Sequence, residues 1–157
     1  MKIIALLAAA AIATTASAAQ TERWHVEVRD VDGTITHDKL KVSDGIQVAS
    51  MEMQPGQTTA EGEKIPYIDG NKTTKLLETG ISVTITKDAD MPTMKIEQTD
   101  LIEFVSLKSG GKTFSVPRTS SQAVETSLAA TDAPQIVTSF PINSDRAVTR
   151  MIVATRL

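Results

Sequence analysis

The sequence offers few residues with which to do chemistry. It has two histidines and no cysteine. His25 takes the polar register of an alternating stretch, and His37 lies beside Asp38 in a turn-like stretch. A zinc site needs three or four converging ligands, and here it would have to recruit distant carboxylates, so both histidines read as solvated or hydrogen-bonded. Asp30-Val31-Asp32-Gly33 resembles the start of a calcium loop, but Lys41 stands where the loop's closing Glu is required, and a hairpin turn is expected instead. Asp88 and Asp90 read as turn residues, and Glu61 and Glu63 as carboxylates facing solvent from a polar stretch. No Gly-x-Ser-x-Gly elbow is present, and a Ser-His-Asp triad would have to use one of the two exposed-looking histidines. Ser109-Gly110-Gly111-Lys112 fits a two-glycine hairpin better than a phosphate loop. Five aromatic residues are too few for a base-stacking or sugar-binding platform. No catalytic, cofactor-binding or metal-ligating residue is assigned, no cofactor is expected, and the residues point away from an enzyme.

The elements that would carry any site are strands. Trp24, Val26 and Val28 alternate with His25, Glu27 and Arg29, and Leu40 and Val42 with Lys39 and Lys41. Ile81, Val83 and Ile85 alternate with Ser82, Thr84 and Thr86, and Met94 and Ile96 with Lys95 and Glu97. Phe114 and Val116, then Val124, Thr126 and Leu128, then Ile136, Thr138 and Phe140 follow the same period, and residues 148–157 close the chain. Period two puts apolar side chains on one face of a strand. Turn chemistry separates the runs at Asp32-Gly33, Asp44-Gly45, Pro55-Gly56, Asp69-Gly70-Asn71, Gly110-Gly111 and Asn143-Ser144-Asp145. The pattern predicts an all-β, mainly antiparallel domain, a small sandwich or a partial barrel. Residues 54–64 read as a loop or subdomain boundary. Residues 119–130 read as a strand in preference to a short helix, because Val124, Thr126 and Leu128 alternate.

Composition bounds the location and the partners. Lys2, the apolar run at residues 3–12 and Ala16-Ser17-Ala18 have the layout of a secretory signal peptide over residues 1–18. The apolar run is shorter than the roughly 20 residues that span a bilayer. No Cys follows it, which excludes an acylated N-terminal cysteine. Beyond residue 18, 15 Lys and Arg stand against 19 Asp and Glu, a net of −4. This acidity argues against nucleic acid, whose phosphates need a basic footprint. With no disulfide available, packing and strand pairing must hold the fold.

Four segments taken in order resemble a known family. They are QPGQTTAEGEKIPYI at residues 54–68, LETGISVTIT at 77–86, MPTMKIEQTDLIEFV at 91–105, and VPRTSSQAVETSLAATDAPQIV at 116–137. Their order and spacing are similar to the second half of the secretin core domain, the ring-forming channel of bacterial type II and III secretion and pilus systems, from Gln54 to Val137. Departures are visible: Lys87 stands where the family's strand has Pro, and Ser139-Phe140-Pro141-Ile142 replaces its Gly-Gly-Leu signature. The first half of the core is absent or reduced to residues 21–53. The division that follows is a signal peptide at residues 1–18, an N-terminal β segment at 19–53 and a secretin-like β domain at 54–157.

The resemblance implies an exported cell-envelope component, in the periplasm or at the outer membrane, that contributes to or docks on a secretion or pilus channel. It implies self-association or pairing with other envelope secretion or pilus proteins, because a half-core leaves strand edges for another subunit to complete. The alternative is a monomeric periplasmic or secreted β-domain that binds a protein or ligand through its loops. An exported hydrolase is the least supported reading, for want of a nucleophile–base pair. The export reading predicts a chain beginning at Ala19 or Gln20 when the protein is recovered from the periplasm; intact mass decides it, and an unprocessed Met1 would overturn it.

Overall fold

The computed structural model describes residues 22–87, 91–142 and 147–157. The chain is a β-sandwich of eight strands. They are β1 (Trp24–Asp32), β2 (Ile46–Met53), β3 (Thr58–Ile68), β4 (Thr74–Lys87), β5 (Pro92–Ser109), β6 (Lys112–Ser127), β7 (Gln135–Pro141) and β8 (Val148–Arg156). A single 3₁₀ turn, His37–Lys39, interrupts the β1–β2 connection. One antiparallel sheet has the order β2-β1-β8-β7 and the other is the meander β3-β4-β5-β6. The two are packed face to face and are not closed into a barrel.

The alternating runs set the facing. Trp24, Val26 and Val28 of β1, Met51 and Met53 of β2, and Ile152 and Ala154 of β8 meet Ile81, Val83 and Ile85 of β4, Met94 and Ile96 of β5, and Leu128. This is one continuous core, and each fully buried side chain of this size is worth roughly 1.5–3 kcal/mol. β8 does not alternate: Met151, Ile152, Val153 and Ala154 are all buried. Its second face is covered by Leu40 and Ile35 of the β1–β2 connection, which cluster with Val31 of β1 and Ile136 of β7 over Met151 and Val153. A strand covered on both faces reads as a continuous apolar run. Thr149 pins that cover, since its hydroxyl donates to the Gly33 carbonyl at 2.8 Å and accepts from the Ile35 N–H at 2.9 Å.

A polar strap joins the sheets. Arg150 on β8 donates two hydrogen bonds to Asp30 on β1, at 2.8 and 2.9 Å, and a third across the sandwich to Gln98 Oε1 on β5, at 3.0 Å. Gln98 is buried and donates in turn to Asp100, at 2.6 Å. The bond from Asp30 leads in holding the Arg150 guanidinium protonated above its usual range. Bidentate geometry of this kind is what guanidinium and carboxylate form best.

Three local expectations are corrected. Asp30, Val31 and Asp32 lie inside β1 and do not make a hairpin turn; the turn starts at Gly33, whose N–H donates to the Ala147 carbonyl at 2.7 Å. Leu40 and Val42 are not a strand. Leu40 is buried from a loop and Val42 is exposed, because two apolar positions suffice to dock a connection but not to extend a ladder. Residues 54–64 are not all loop either: after the turn at Pro55-Gly56, β3 begins at Thr58 and carries Glu61 and Glu63. As an edge strand β3 needs no strong apolar alternation. Residues 119–127 are strand, and the Gly110-Gly111 turn joins β5 to β6 with φ of 57° and 74°, as a two-residue hairpin requires. Asp88, Asp90 and Asn143-Ser144-Asp145 lie outside the described residues, as does the stretch expected to be a signal peptide.

Val83 is fully buried, whereas Thr84 faces the other way and meets the Thr58 hydroxyl at 2.9 Å. Val83→Asp should therefore lower the unfolding free energy by at least ~3 kcal/mol, the cost of an unpaired buried charge, while Thr84→Asp costs about 1 kcal/mol or less. Urea denaturation of both variants reads the difference, and the reverse order would shift the strand's register by one residue.

Candidate functional site

The meander β3-β4-β5-β6 is longer than the sandwich it walls. β4 pairs with β5 only from Gly80↔Thr99 to Lys87↔Pro92. Beyond that point the β3–β4 hairpin runs on through six further paired positions, from Glu63↔Thr79 to Ile68↔Thr74, and the β5–β6 hairpin continues to Ser109↔Lys112. The sheet forks into two hairpin arms.

Two glycines sit at the fork. Gly62 and Gly80 are directly paired across β3 and β4. A Cβ on Gly62 would land on the Thr79 carbonyl, and one on Gly80 would land on the Glu61 carbonyl; Gly80 also has φ of +112°. Only residues without a Cβ allow this backbone approach. On the other arm, β5 carries a bulge between Leu101 and Glu103, which bends and twists a strand. Below the tips, charges on the arms are matched: Lys64 pairs with Glu78 at 3.0 Å and Arg118 with Glu103 at 2.9 Å.

The arm tips come back together. Tyr67 and Phe104 have ring centroids 6.4 Å apart, and the Phe114 ring lies beside Gly70, where an added Cβ would touch it at 3.4 Å. Between them is an open cleft of about 710 Å³, lined by Pro66, Tyr67, Ile68, Phe104, Phe114, the β3–β4 turn and the start of β6. Asp69 organises the β3–β4 turn. Its carboxylate accepts from the Asn71 and Thr73 N–H groups at 2.9 and 3.0 Å and pairs with Lys75 at 3.1 Å. The Thr73 bond, followed by Lys75, holds its pKa below the usual carboxylate range. A second cleft, of about 510 Å³, lies at the fork. It is lined by backbone and small polar side chains, among them Ser82, Thr99 and Ser121, with Glu61, Glu63, Glu78 and Glu97 at its walls.

The residues screened for chemistry are scattered. His25 Nε2 lies 3.4 Å from Glu27, whose carboxylate also takes Arg29 at 2.8 Å. Arg29 goes on to bind the carbonyls of Ser43, Asp44 and Gly45, so this group braces a loop. His37 sits 3.1 Å from the Ser139 hydroxyl on β7. Among the described residues no three His, Asp or Glu side chains converge as metal ligands.

Compared with known proteins, the chain matches no family model, no curated protein and no solved structure. The likeness to secretins thus rests on the four quoted segments. Those segments occupy β3, β4, β5 and β6 in order, with the last running on into β7.

Sequence reasoning missed the tips. Phe104 and Phe114 lie 37 and 47 positions after Tyr67 in the chain, and only the two hairpin registers bring them together. The signal was present in Gly62 and Gly80, placed symmetrically about the Asp69-Gly70-Asn71 turn. Gly80→Ala should cost at least twice what Gly56→Ala costs. Gly56 has φ of +91° but open space around it, so there the cost is backbone strain alone, roughly 1–2 kcal/mol. Thermal unfolding compares the two variants, and loss of Tyr67–Phe104 ring contacts by NMR in Gly80→Ala alone would place the fork at this glycine; equal costs would not.

Proposed function

We propose that this protein is an exported, non-enzymatic component of the cell envelope, a secretin-like subunit that joins a secretion or pilus channel by pairing strands with another chain. The observation that carries the reading is the state of the arm edges.

Each arm has a proline on its outer strand opposite a large apolar residue on its inner strand: Pro66 faces Leu76, and Pro117 faces Phe104. Proline has no N–H, so it suits a position whose backbone points away from the neighbouring strand. In an antiparallel ladder the residue opposite such a position also turns its N–H and C=O away. The register agrees: the Ile85 N–H donates to the Gln57 carbonyl at 3.1 Å, which turns odd-numbered residues of β4 toward β3 and Thr74, Leu76 and Glu78 toward the side β5 has left. The outer edges are thereby blunted against pairing while the inner edges keep their donors and acceptors. A strand from another subunit has a template there, which is the ordinary route of β-augmentation. The four secretin-like segments lie on this same meander, and that coincidence supports assembly over the monomeric binding module.

Assembly is tested with Leu76→Pro, which removes an inner-edge donor without touching a β3–β4 ladder bond. The wild type should give multimers by light scattering and detergent-resistant bands on a gel. The variant should be monomeric, with an unchanged circular dichroism spectrum and a melting temperature within a few degrees, as expected of an exposed substitution (about 0.5 kcal/mol or less). A wild type that is strictly monomeric and joins no envelope complex would remove this reading and leave the binding module.

A further inference from the structure

The tips differ from the rest of the molecule in both charge and polarity. Of the five aromatic residues, Trp24 and Phe140 are buried in the core and the other three meet at the tips. Exposed aliphatic side chains join them, with Ile68 60% exposed and Leu107 43%. Residues 66–76 and 104–117 contain four lysines, Lys72, Lys75, Lys108 and Lys112, against one acidic residue, Asp69, a net of +3. The whole chain carries −3, so everything outside these two segments carries −6. Asp69 is taken by Lys75, and among the described residues no ion pair engages Lys72, Lys108 or Lys112.

Such a tip would be a liability in an acidic exported protein unless something covers it. An exposed apolar cluster ringed by free cations fits a surface that is apolar beneath and anionic above. Aromatic rings sit well at the level of lipid headgroups, long aliphatic side chains reach the acyl boundary, and lysines snorkel back to the phosphates. The charge separation along the molecule also orients it, with the cationic tips toward an anionic surface and the acidic body held off. The β3–β4 and β5–β6 ladders pair the groups between the strands of each hairpin, and the open edge groups stay at headgroup depth within reach of water, so insertion is shallow.

We propose that the paired hairpin tips dock on the surface of an anionic lipid bilayer, with Phe104, Ile68 and Leu107 entering the headgroup region and Lys72, Lys108 and Lys112 contacting phosphates. The proposal is independent of strand-mediated assembly: it concerns the tips and their charge, and not the inner edges.

The test is co-sedimentation of the purified protein with vesicles of phosphatidylcholine alone or with one quarter phosphatidylglycerol. Binding should require phosphatidylglycerol and fall as salt rises. A lysine near an anionic surface is worth roughly a factor of five in affinity, so Lys72→Glu with Lys112→Glu should weaken binding by about 25-fold or more. Phe104→Ser should weaken it with the salt dependence preserved. Lys41→Glu, in the exposed turn beside β2 and outside both tip segments, should leave it unchanged. Circular dichroism confirms that each variant is folded. Failure to bind either vesicle, equal binding to both, or equal loss from Lys41→Glu and the tip pair would overturn the proposal. So would tips that only join two copies of the chain, seen as self-association abolished by Phe104→Ser without any vesicle binding. Leu76→Pro reports on assembly separately: a monomer that still sediments with anionic vesicles supports the lipid site even where the subunit reading fails.

Discussion

The close backbone approach at Gly62 and Gly80 is the constraint from which the rest of the meander follows. Where these residues pair, a Cβ on either would occupy the position of the opposite strand's carbonyl. The close approach coincides with the last pair between β4 and β5, Gly80↔Thr99, and a continuous four-stranded sheet below this line becomes two hairpins above it. The lower part has one face to bury and does so against β1, β2 and β8. The upper part has no second sheet opposite it, and its Ile65, Tyr67, Leu77, Val105 and Phe114 reach only intermediate burial. A two-stranded ribbon alone is marginal in water. The arms are held by the sandwich at one end and by contact between their tips at the other.

That arrangement puts the burden of stability on the lower half. With no cysteine in the chain, the sheets are joined by apolar packing and by the strap from Asp30 through Arg150 to Gln98. The strap does not rank as a large stabilising term, because a partly buried ion pair gives up hydration for what it gains. Its more definite effect is on geometry. Arg150 offers its guanidinium to β1 within its own sheet and to β5 in the other, which fixes how the sheets slide past one another. Gln98 stands one pair short of the fork, in the register that Met94 and Ile96 occupy below it. The core thus turns polar just where the two sheets part company.

The lower half was legible and the upper half was not, for one physical reason. Burial on one face imposes period two on a sequence, and the runs at Trp24–Val28, Ile81–Ile85 and Met94–Ile96 carry that imprint because each has the other sheet opposite. The arms have no such partner. β3 reads as a polar stretch, Glu61 to Lys64 in particular, because an edge strand over solvent is free to be polar. The misread of Leu40 and Val42 is the converse case: one buried leucine in a loop leaves the same local trace as the start of a strand. Asp30 was read as a turn residue from its neighbours, and nothing local could reveal Arg150, 120 positions away. The clustering of Tyr67, Phe104 and Phe114 is also a consequence of two registers taken together, which no single window contains.

Open edges and exposed apolar tips are hazards for a solitary domain, and the arms treat them selectively. Pro66 and Pro117 remove outward donors from β3 and β6, the strands that would otherwise offer a full edge to any passing chain. No proline occupies the inner strands along the arms, at residues 74–79 of β4 or 100–107 of β5. The outer strands are thus protected against chance pairing and the inner ones are not, and the proposed assembly rests on that asymmetry. The same asymmetry holds for charge: Lys64, Glu78, Glu103 and Arg118 neutralise one another along the arms, while among the described residues no ion pair engages Lys72, Lys108 or Lys112 at the tips. Neither pattern contributes to the stability of the sandwich, and the tip pattern works against solubility. Under the two proposals, the inner edges would supply hydrogen-bonding chemistry to a second chain and the tips interfacial chemistry to a bilayer.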